Sequence, residues 1–371
     1  VTDPLHRLFV HPGLLTGAAE VAHVRRAARQ AGTPEHAAFV ALQQLRDLAG
    51  RPMVEHEPRP HARWTAVPHH GQPGPARDLL DDAHATYANA LLWLVTGDAS
   101  HAASASRTID AWATTLTAIV DDAGQADHWL NTRQDYQLFT SYAWPAVIWA
   151  AELLRAEAAS GFDAAAQARF AAMLRNVVRP AAVHPANPFP NNWRSWRTLF
   201  QITCAVYLDD AHQFEVSLHE WRAHAFDYLG RNLHGELKRD LWHAQMGVVP
   251  LLAAAEVAWK HGVDLYGFAG RLLLRAAEYQ VPFYLGDLRD WPFRAPPKPD
   301  AQGDAATIWN GFELAYNHYS RRLGLPTPQL DRLFSATNLK VAPTPPPGGR
   351  AYRPEQFNRV GYGTLTHSAG L

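Results

Sequence analysis

The feature that most constrains this chain is a helical period, repeated and broken at hairpin-length intervals. Asp78–Thr96 reads DLLDDAHATYANALLWLVT, with apolar residues three and four apart, and it stops at Gly97-Asp98. The same period recurs over Val21–Gln30, His36–Leu48, Ser100–Val120, Arg133–Ala158, Asp163–Val178, Trp193–Leu208, Ala211–Leu229, Leu241–His261, Leu265–Val281 and Ala305–Leu323. Short Gly, Asp or Pro turns join most of these segments, so successive helices should run antiparallel. Strand signals are nearly absent. Only Tyr362–Thr366 is expected to pair briefly.

Such a chain has three architectures open to it: an elaborated four-helix bundle, a helical solenoid, or an α/α toroid in which helical hairpins form a ring. No repeat with consensus residues at a fixed period is visible, which counts against a solenoid. A toroid leaves a funnel at one end, lined by the loops between hairpins. Arg51–Arg77, Pro180–Pro190, Gly286–Asp304 and Ala342–Arg350 are Pro-rich stretches without a helical period. No linker separates two halves. The reading is therefore all-α: a single α/α-toroid domain over residues 1–371, with the Pro-rich segment 337–371 packed on it. Arg51–Arg77, Pro180–Trp193 and Gly286–Asp304 are expected to line its cleft.

Composition narrows the function. Lys+Arg is 34 against Asp+Glu 35, a net charge of −1, which disfavours a nucleic-acid binder acting through bulk charge. The single cysteine, Cys204, excludes an internal disulfide and any Cys-based metal centre. No run of about 18 apolar residues suggests a membrane span. The expected location is secreted or periplasmic, with a signal peptide removed ahead of Val1. The chain is rich in Trp (13) and His (20). Aromatic rings make platforms for sugars, but a given Trp is more often core, by about two to one.

Three polar clusters lie on or beside helices. In Gly235–Gln245, a helix would place Arg239, Asp240 and His243 on one face. Asp240 would then fix the ring of His243, and Arg239 would present a cation to a carboxylate, with Gln245 nearby. A solvated first turn is the plainer alternative. In Pro188–Arg197, Asn191 or Asn192 suits an N-cap. Two asparagines followed by Trp193, Trp196 and two arginines exceed what a cap needs, so the amide of Asn192 is a candidate carboxylate ligand. In Glu313–Tyr319, Tyr316 and Tyr319 are three apart with Asn317 and His318 beside them, and a core role competes with a functional one. Phosphate-loop, dinucleotide, serine-hydrolase and zinc-protease motifs are all missing. His69-His70 lacks a nearby carboxylate, and no metal site is expected.

Laid out in order, these residues resemble the alginate-lyase-domain group of polysaccharide lyases. The resemblance rests on His11–Leu15, Tyr87–Asp98, Ile109–Leu116, Asn192-Trp193 with Tyr207–Asp210, Arg239–Gln245, Ala255–Trp259 with Gly262–Gly267, Tyr316–Tyr319 and Gly361–Thr366. It implies an α/α toroid that cleaves 4-linked uronic-acid polymers, alginate or glucuronan, by β-elimination, without a metal or organic cofactor. It further implies a monomer acting on an anionic polysaccharide, with no nucleic-acid or membrane partner. The implied catalytic set is Asn192, Arg239 and His243 at the substrate carboxylate, with His243 also a possible base, and Tyr316 moving protons. His318 and Tyr319 stand in reserve. Trp193, Arg197, Arg133, Trp291, Arg294 and Gln245 are expected to line subsites. The better-studied alginate lyases have Asn-Asn-His where this chain has Asn-Asn-Trp, so its base is not a His following Asn192.

Two other readings compete. A toroidal glycoside hydrolase would need paired carboxylates across a cleft, with Asp81, Asp82, Asp135, Glu236, Asp240 and Glu313 available. A non-catalytic carbohydrate-binding scaffold would show no coupled polar cluster.

Overall fold

A computed structural model of the chain describes residues 9–66, 73–120, 135–183, 191–297, 311–336 and 362–371. The chain enters through α1 (Ala18–Ala27) and α2 (Pro34–Gln43), then alternates between two layers. The inner layer holds α3 (Pro75–Thr96), α5 (Asp135–Arg155), α8 (Asn192–Tyr207), α11 (Leu241–Lys260) and α13 (Phe312–Ala315), each packed on the next. The outer layer holds α4 (Ala99–Thr115), α6 (Ala164–Met173), α7 (Arg179–Val183), α9 (Ala211–Asp227), α10 (Leu233–Arg239), α12 (Phe268–Tyr284) and α14 (Pro328–Ala336). α15 (Gly363–Thr366) packs on α1, α2 and α13. The outer helices return the chain each time, so the long inner helices α3, α5, α8 and α11 run the same way. This is an α/α toroid.

The turns follow from the sequence. Gly97 closes α3 at φ +74°, a conformation that favours glycine. Asp98, Asp163, Asp210 and Asp240 then cap α4, α6, α9 and α11, each side chain accepting a first-turn backbone N–H.

The inner helices are buried almost all round. α11 is long and apolar enough to cross a membrane, yet 94% of its apolar stretch is buried inside the protein, as befits a core helix. Trp64, Trp112, Trp144, Trp149, Trp196 and Trp221 are fully buried, so most described tryptophans serve packing.

Some elements differ from the sequence reading. Tyr362–Thr366 does not pair as a strand: Tyr362 takes φ +69° and starts α15. The only strand pair among the described residues is instead β1 (Arg63–Trp64) with β2 (Ala118–Ile119), parallel; β2 falls where Ser100–Val120 is read as helix, since α4 stops at Thr115, and β1 falls in the Arg51–Arg77 loop read as irregular. That loop is anchored by a buried ionic network. His56 Nδ1 lies 3.2 Å from Asp47 and Nε2 lies 2.8 Å from Asp82, while Arg51 binds Asp47 and Arg59 binds Asp81. Asp47, His56 and Asp81 are close enough to share a cation. Both ring nitrogens already face carboxylates, however, and two arginines neutralise the rest, so the group reads as an ion-pair network.

Candidate active site

Two inner helices start where the polar clusters lie. Before α8, Asn191 is extended (φ −125°, ψ −177°), but its side chain makes no capping bond. Glu236 from α10 does that work: its Oε1 accepts the backbone N–H of Asn192 at 3.2 Å and the side-chain Nδ2 at 3.0 Å. Asn192 is 1% exposed, and its Oδ1 is buried without a partner. An unmet buried acceptor costs about 1–3 kcal/mol.

At α11 the expected shared face of Arg239, Asp240 and His243 does not form. Asp240 is extended (φ −175°, ψ 166°) and breaks the helix there. Arg239 thus ends α10, exposed, while His243 belongs to the first turn of α11. The break is favourable because aspartate is among the best N-caps. Its carboxylate accepts the backbone N–H of His243 at 2.7 Å and lies 2.8 and 2.7 Å from ring Nδ1. With Nδ1–H donating to Asp240, the acceptor of the neutral ring is Nε2. Burial pushes the Asp240 carboxyl up, but the bonds from His243 and the nearby cations outweigh it and hold it below the usual range.

Between these helices a π-helical turn, Tyr228–Asn232, leads into α10. Tyr228 is fully buried, and its hydroxyl, which has no partner, sits 1.8 Å from where a Cβ on Gly247 of α11 would be. Only glycine leaves room there. Burial lifts the phenol well above its ordinary value, and Glu236 and Tyr284 add to the effect. Deeper in α8, Ser195 Oγ lies 2.7 Å from His224 Nε2. Burial, with Arg194 and Arg197 nearby, pushes His224 down to about 3. The N-termini of α8 and α11 both lie at this group, which favours an anionic ligand.

Residues 50–291 match the alginate lyase family. The chain belongs to that family. It is a polysaccharide lyase with an anionic polysaccharide as its substrate. Among solved structures it resembles alginate lyase A1-III from Sphingomonas species A1 at 18% identity, covering 99% of both chains, with a TM-score of 0.66. A tyrosine-to-phenylalanine variant of A1-III complexed with tetrasaccharide matches at 17% identity over 99% of this chain and 96% of that one, with a TM-score of 0.65. An alginate lyase from Bacteroides ovatus matches at 15% identity over 83% of this chain and 92% of that one, with a TM-score of 0.56. No match is found among curated proteins.

In this lyase the expected site residues separate into groups. Asn192 and His243 come together through α10, whose Glu236 and the adjoining Asp240 hold one each. Trp193 and Arg197 line a small pocket with Gln137 and Ser141 at the start of α5. Arg197 is 7% exposed with Nη1 unpaired; burial lowers its guanidinium, Glu220 raises it and Arg194 lowers it. Gln245 is fully buried.

Tyr316, His318 and Tyr319 are not brought to this group. Gly311 lies against Val249, and the His318 ring lies 4.8 Å from Trp259, so their helix runs beside the C-terminal half of α11. Tyr316 stacks on Phe334 at 4.7 Å, and Tyr319 donates to the Tyr266 carbonyl at 2.8 Å. Trp291 joins an outer aromatic row with Phe283 and Phe293, which leads to His234 and a cavity of about 490 Å³ between α10 and α12. Arg294 beside it is exposed. Arg133 and His69-His70 lie outside the described residues.

The sequence reading named Glu236 only as a carboxylate for hydrolysis and passed over Tyr228, Ser195 and His224. One signal for Glu236 was present: it stands four residues before Asp240, one helical turn away.

Proposed function

We propose that this lyase cleaves alginate, or a close 4-linked polymer of mannuronate, guluronate or glucuronate, by metal-independent β-elimination. The observation that carries the reading is the His243–Asp240 pair, linked through Glu236 of α10 to the Asn192 amide. The C5 proton of a uronate is weakly acidic while the adjacent carboxylate is charged, so the site must neutralise that carboxylate. Asn192 offers an N–H and an unpaired Oδ1, an edge that matches a carboxyl group carrying a proton. Arg239 adds a cation at the rim, and side-chain donors make a metal unnecessary.

His243 Nε2 then removes the C5 proton. The electron pair of that bond becomes the C4=C5 double bond, and the C4–O4 bond breaks. The imidazolium, stabilised by Asp240, passes its proton to O4. One group serves both steps, so the C5 proton and O4 must lie on the same side of the ring, as in mannuronate and glucuronate; in guluronate, the C5 epimer, they lie on opposite sides, and a second group would have to protonate O4. Tyr316 has no part in this scheme, because it packs elsewhere. Trp193 and Arg197 would seat a neighbouring sugar, through stacking and a carboxylate contact.

A hydrolytic reading is disfavoured by the carboxylates themselves. Asp81 and Asp82 sit in the His56 network, Arg321 binds Glu313, and Glu236 and Asp240 hold Asn192 and His243. Polymers of this size do not cross membranes, so the proposal includes a monomer acting outside the cytoplasm.

The test is a panel of uronic-acid polymers, scored by the ultraviolet absorbance of the unsaturated product and by product size. Release of reducing ends without that absorbance would replace elimination by hydrolysis.

A further inference from the structure

The helix break at Asp240 leaves α10 with an unusual task. Its carboxylate Glu236 reaches the first turn of α8, and one turn later Asp240 reaches the first turn of α11. The backbone continues this coupling, since the N–H of Asp240 donates to the Glu236 carbonyl at 3.0 Å. Two carboxylates at a site for a polyanion would repel it if they faced it. Here each is turned onto a helix N-terminus, where backbone N–H groups and the dipole favour an anion.

We propose that Glu236 is a positioning residue for elimination, setting the orientation of the Asn192 amide as Asp240 sets that of the His243 ring. This rests on the reading of Asn192 as the carboxyl-binding group. The geometry is specific. The N-cap Asn191 gives no side-chain bond, so Glu236 takes over that function and holds backbone and side chain of Asn192 through one oxygen. With one Nδ2–H committed to Glu236, the amide cannot flip without placing Oδ1 against a carboxylate. The other N–H and the unpaired Oδ1 are thereby kept for the substrate. Glu236 is itself 8% exposed, which suits a support rather than a group that touches sugar.

The test combines kinetics on the best uronate polymer with the side-chain amide signal of Asn192 in ¹⁵N-labelled full-length protein, assigned by its loss in Asn192→Ala. Glu236→Ala should lower kcat by about 10²-fold, the scale of a misplaced group, with KM little changed. Glu236→Gln keeps an accepting oxygen and should restore most of that loss. In an Asn192→Ala background, Glu236→Ala should cost nothing further. The Asn192 amide signal should move in Glu236→Ala and stay near its place in Glu236→Gln. Independent, multiplying effects of the two alanine variants would overturn the proposal. So would a Gln variant as slow as the Ala variant, which would make Glu236 a proton carrier. So would an amide signal unmoved in Glu236→Ala or, if that variant fails to fold, unmoved in Glu236→Leu, which also accepts no hydrogen bond. Should the wild type make no unsaturated product from any polymer, the elimination reading fails, while the amide signal still decides whether Glu236 orients Asn192.

Discussion

Both ends of α11 carry buried polar clusters, and they differ in how their key acceptors are met. At the N-terminus, Asn192 Oδ1 and Tyr228 Oη are buried without partners, and His243 Nε2 has none among the described residues. At the C-terminal end, Glu256 is fully buried and both its oxygens are taken: Lys260 at 3.1 Å, Arg322 at 3.0 Å and Tyr266 Oη at 2.9 Å. Lys260 also reaches Glu20, and Arg322 lies over the Trp259 ring. Unmet buried atoms occur at both ends, Arg322 Nε and Asn317 Nδ2 among them, so the contrast lies in the charge of Glu256, which is fully paired, against the acceptor of Asn192, which is left open. The contrast assigns chemistry to one end of the helix and support to the other.

The largest effect is expected at the Glu256 end. Glu256→Ala would strand Lys260 and Arg322 in the interior, and breaking a buried pair this way costs about 3–5 kcal/mol. Urea unfolding measures it, and a cost below about 1 kcal/mol would remove the contrast. At the other end, His243→Ala should lower kcat by roughly 10²-fold or more, about 2.7 kcal/mol in the barrier, while the unfolding midpoint stays near that of the wild type. If the two variants exchanged their phenotypes, the assignment of the two ends would be reversed.

Acid should discriminate less sharply. Burial pushes His224 down to about 3, with Arg194 and Arg197 assisting, and His318 down to about 4, with Arg322 assisting. A depressed histidine is neutral in the fold, so its contribution is complete above the ordinary value of 6.5 and is lost as pH falls toward the folded value. Each adds a slope of up to about 1.4 kcal/mol per pH unit. Glu256 is held far below its ordinary 4.5, burial being outweighed by Lys260, His367 and Arg322, so its share is lost below that pH. His56 acts oppositely. Burial lowers it, but Asp82, Asp81 and Asp47 raise it above 6.5, so its share is present below that value and fades as pH climbs through the raised one. Melting temperature against pH should therefore fall on the acid side of 6.5. A flat profile from there down to 4.5 would mean that these histidines are not desolvated.

What the sequence showed and hid has a common cause. Asp98 and Asp163 begin helices at places where an apolar period also starts, so both signals agree. Asp240 begins one inside a continuous polar-to-apolar run, and the period alone reads through it. The capping preference of aspartate was the available clue. Thr327-Pro328 likewise carried a start signal for α14, whose Leu330, Leu333 and Phe334 keep the helical spacing and were passed over. The candidate pair Asn192 and His243 was legible because each stands at a helix start. Tyr316 was misplaced for a different reason. Its helix packs along the C-terminal half of α11, a long-range placement that no spacing in the sequence encodes. Trp291 and Arg294 follow a loop whose path no local signal encodes.

The smallest expected effect sharpens the comparison most. Tyr316→Phe removes only a hydroxyl, from a ring held between Phe334 at 4.7 Å and the Arg321 guanidinium at 4.6 Å. A tyrosine that moves protons near neutral pH needs its phenol lowered. Here burial and Asp331 raise it, against smaller opposing effects of Ser320 and Arg321. The ring also lies along the half of α11 that holds the Glu256 cluster. The variant should keep kcat within about twofold of wild type, less than 0.5 kcal/mol in the barrier, and lose about 1 kcal/mol of stability with the bond to Asp331. Steady-state rates on the best uronate polymer decide the matter. A fall of roughly 10²-fold, the scale of a lost acid–base group, would put proton transfer beside the Glu256 cluster, and the open acceptor of Asn192 would no longer mark where this lyase works.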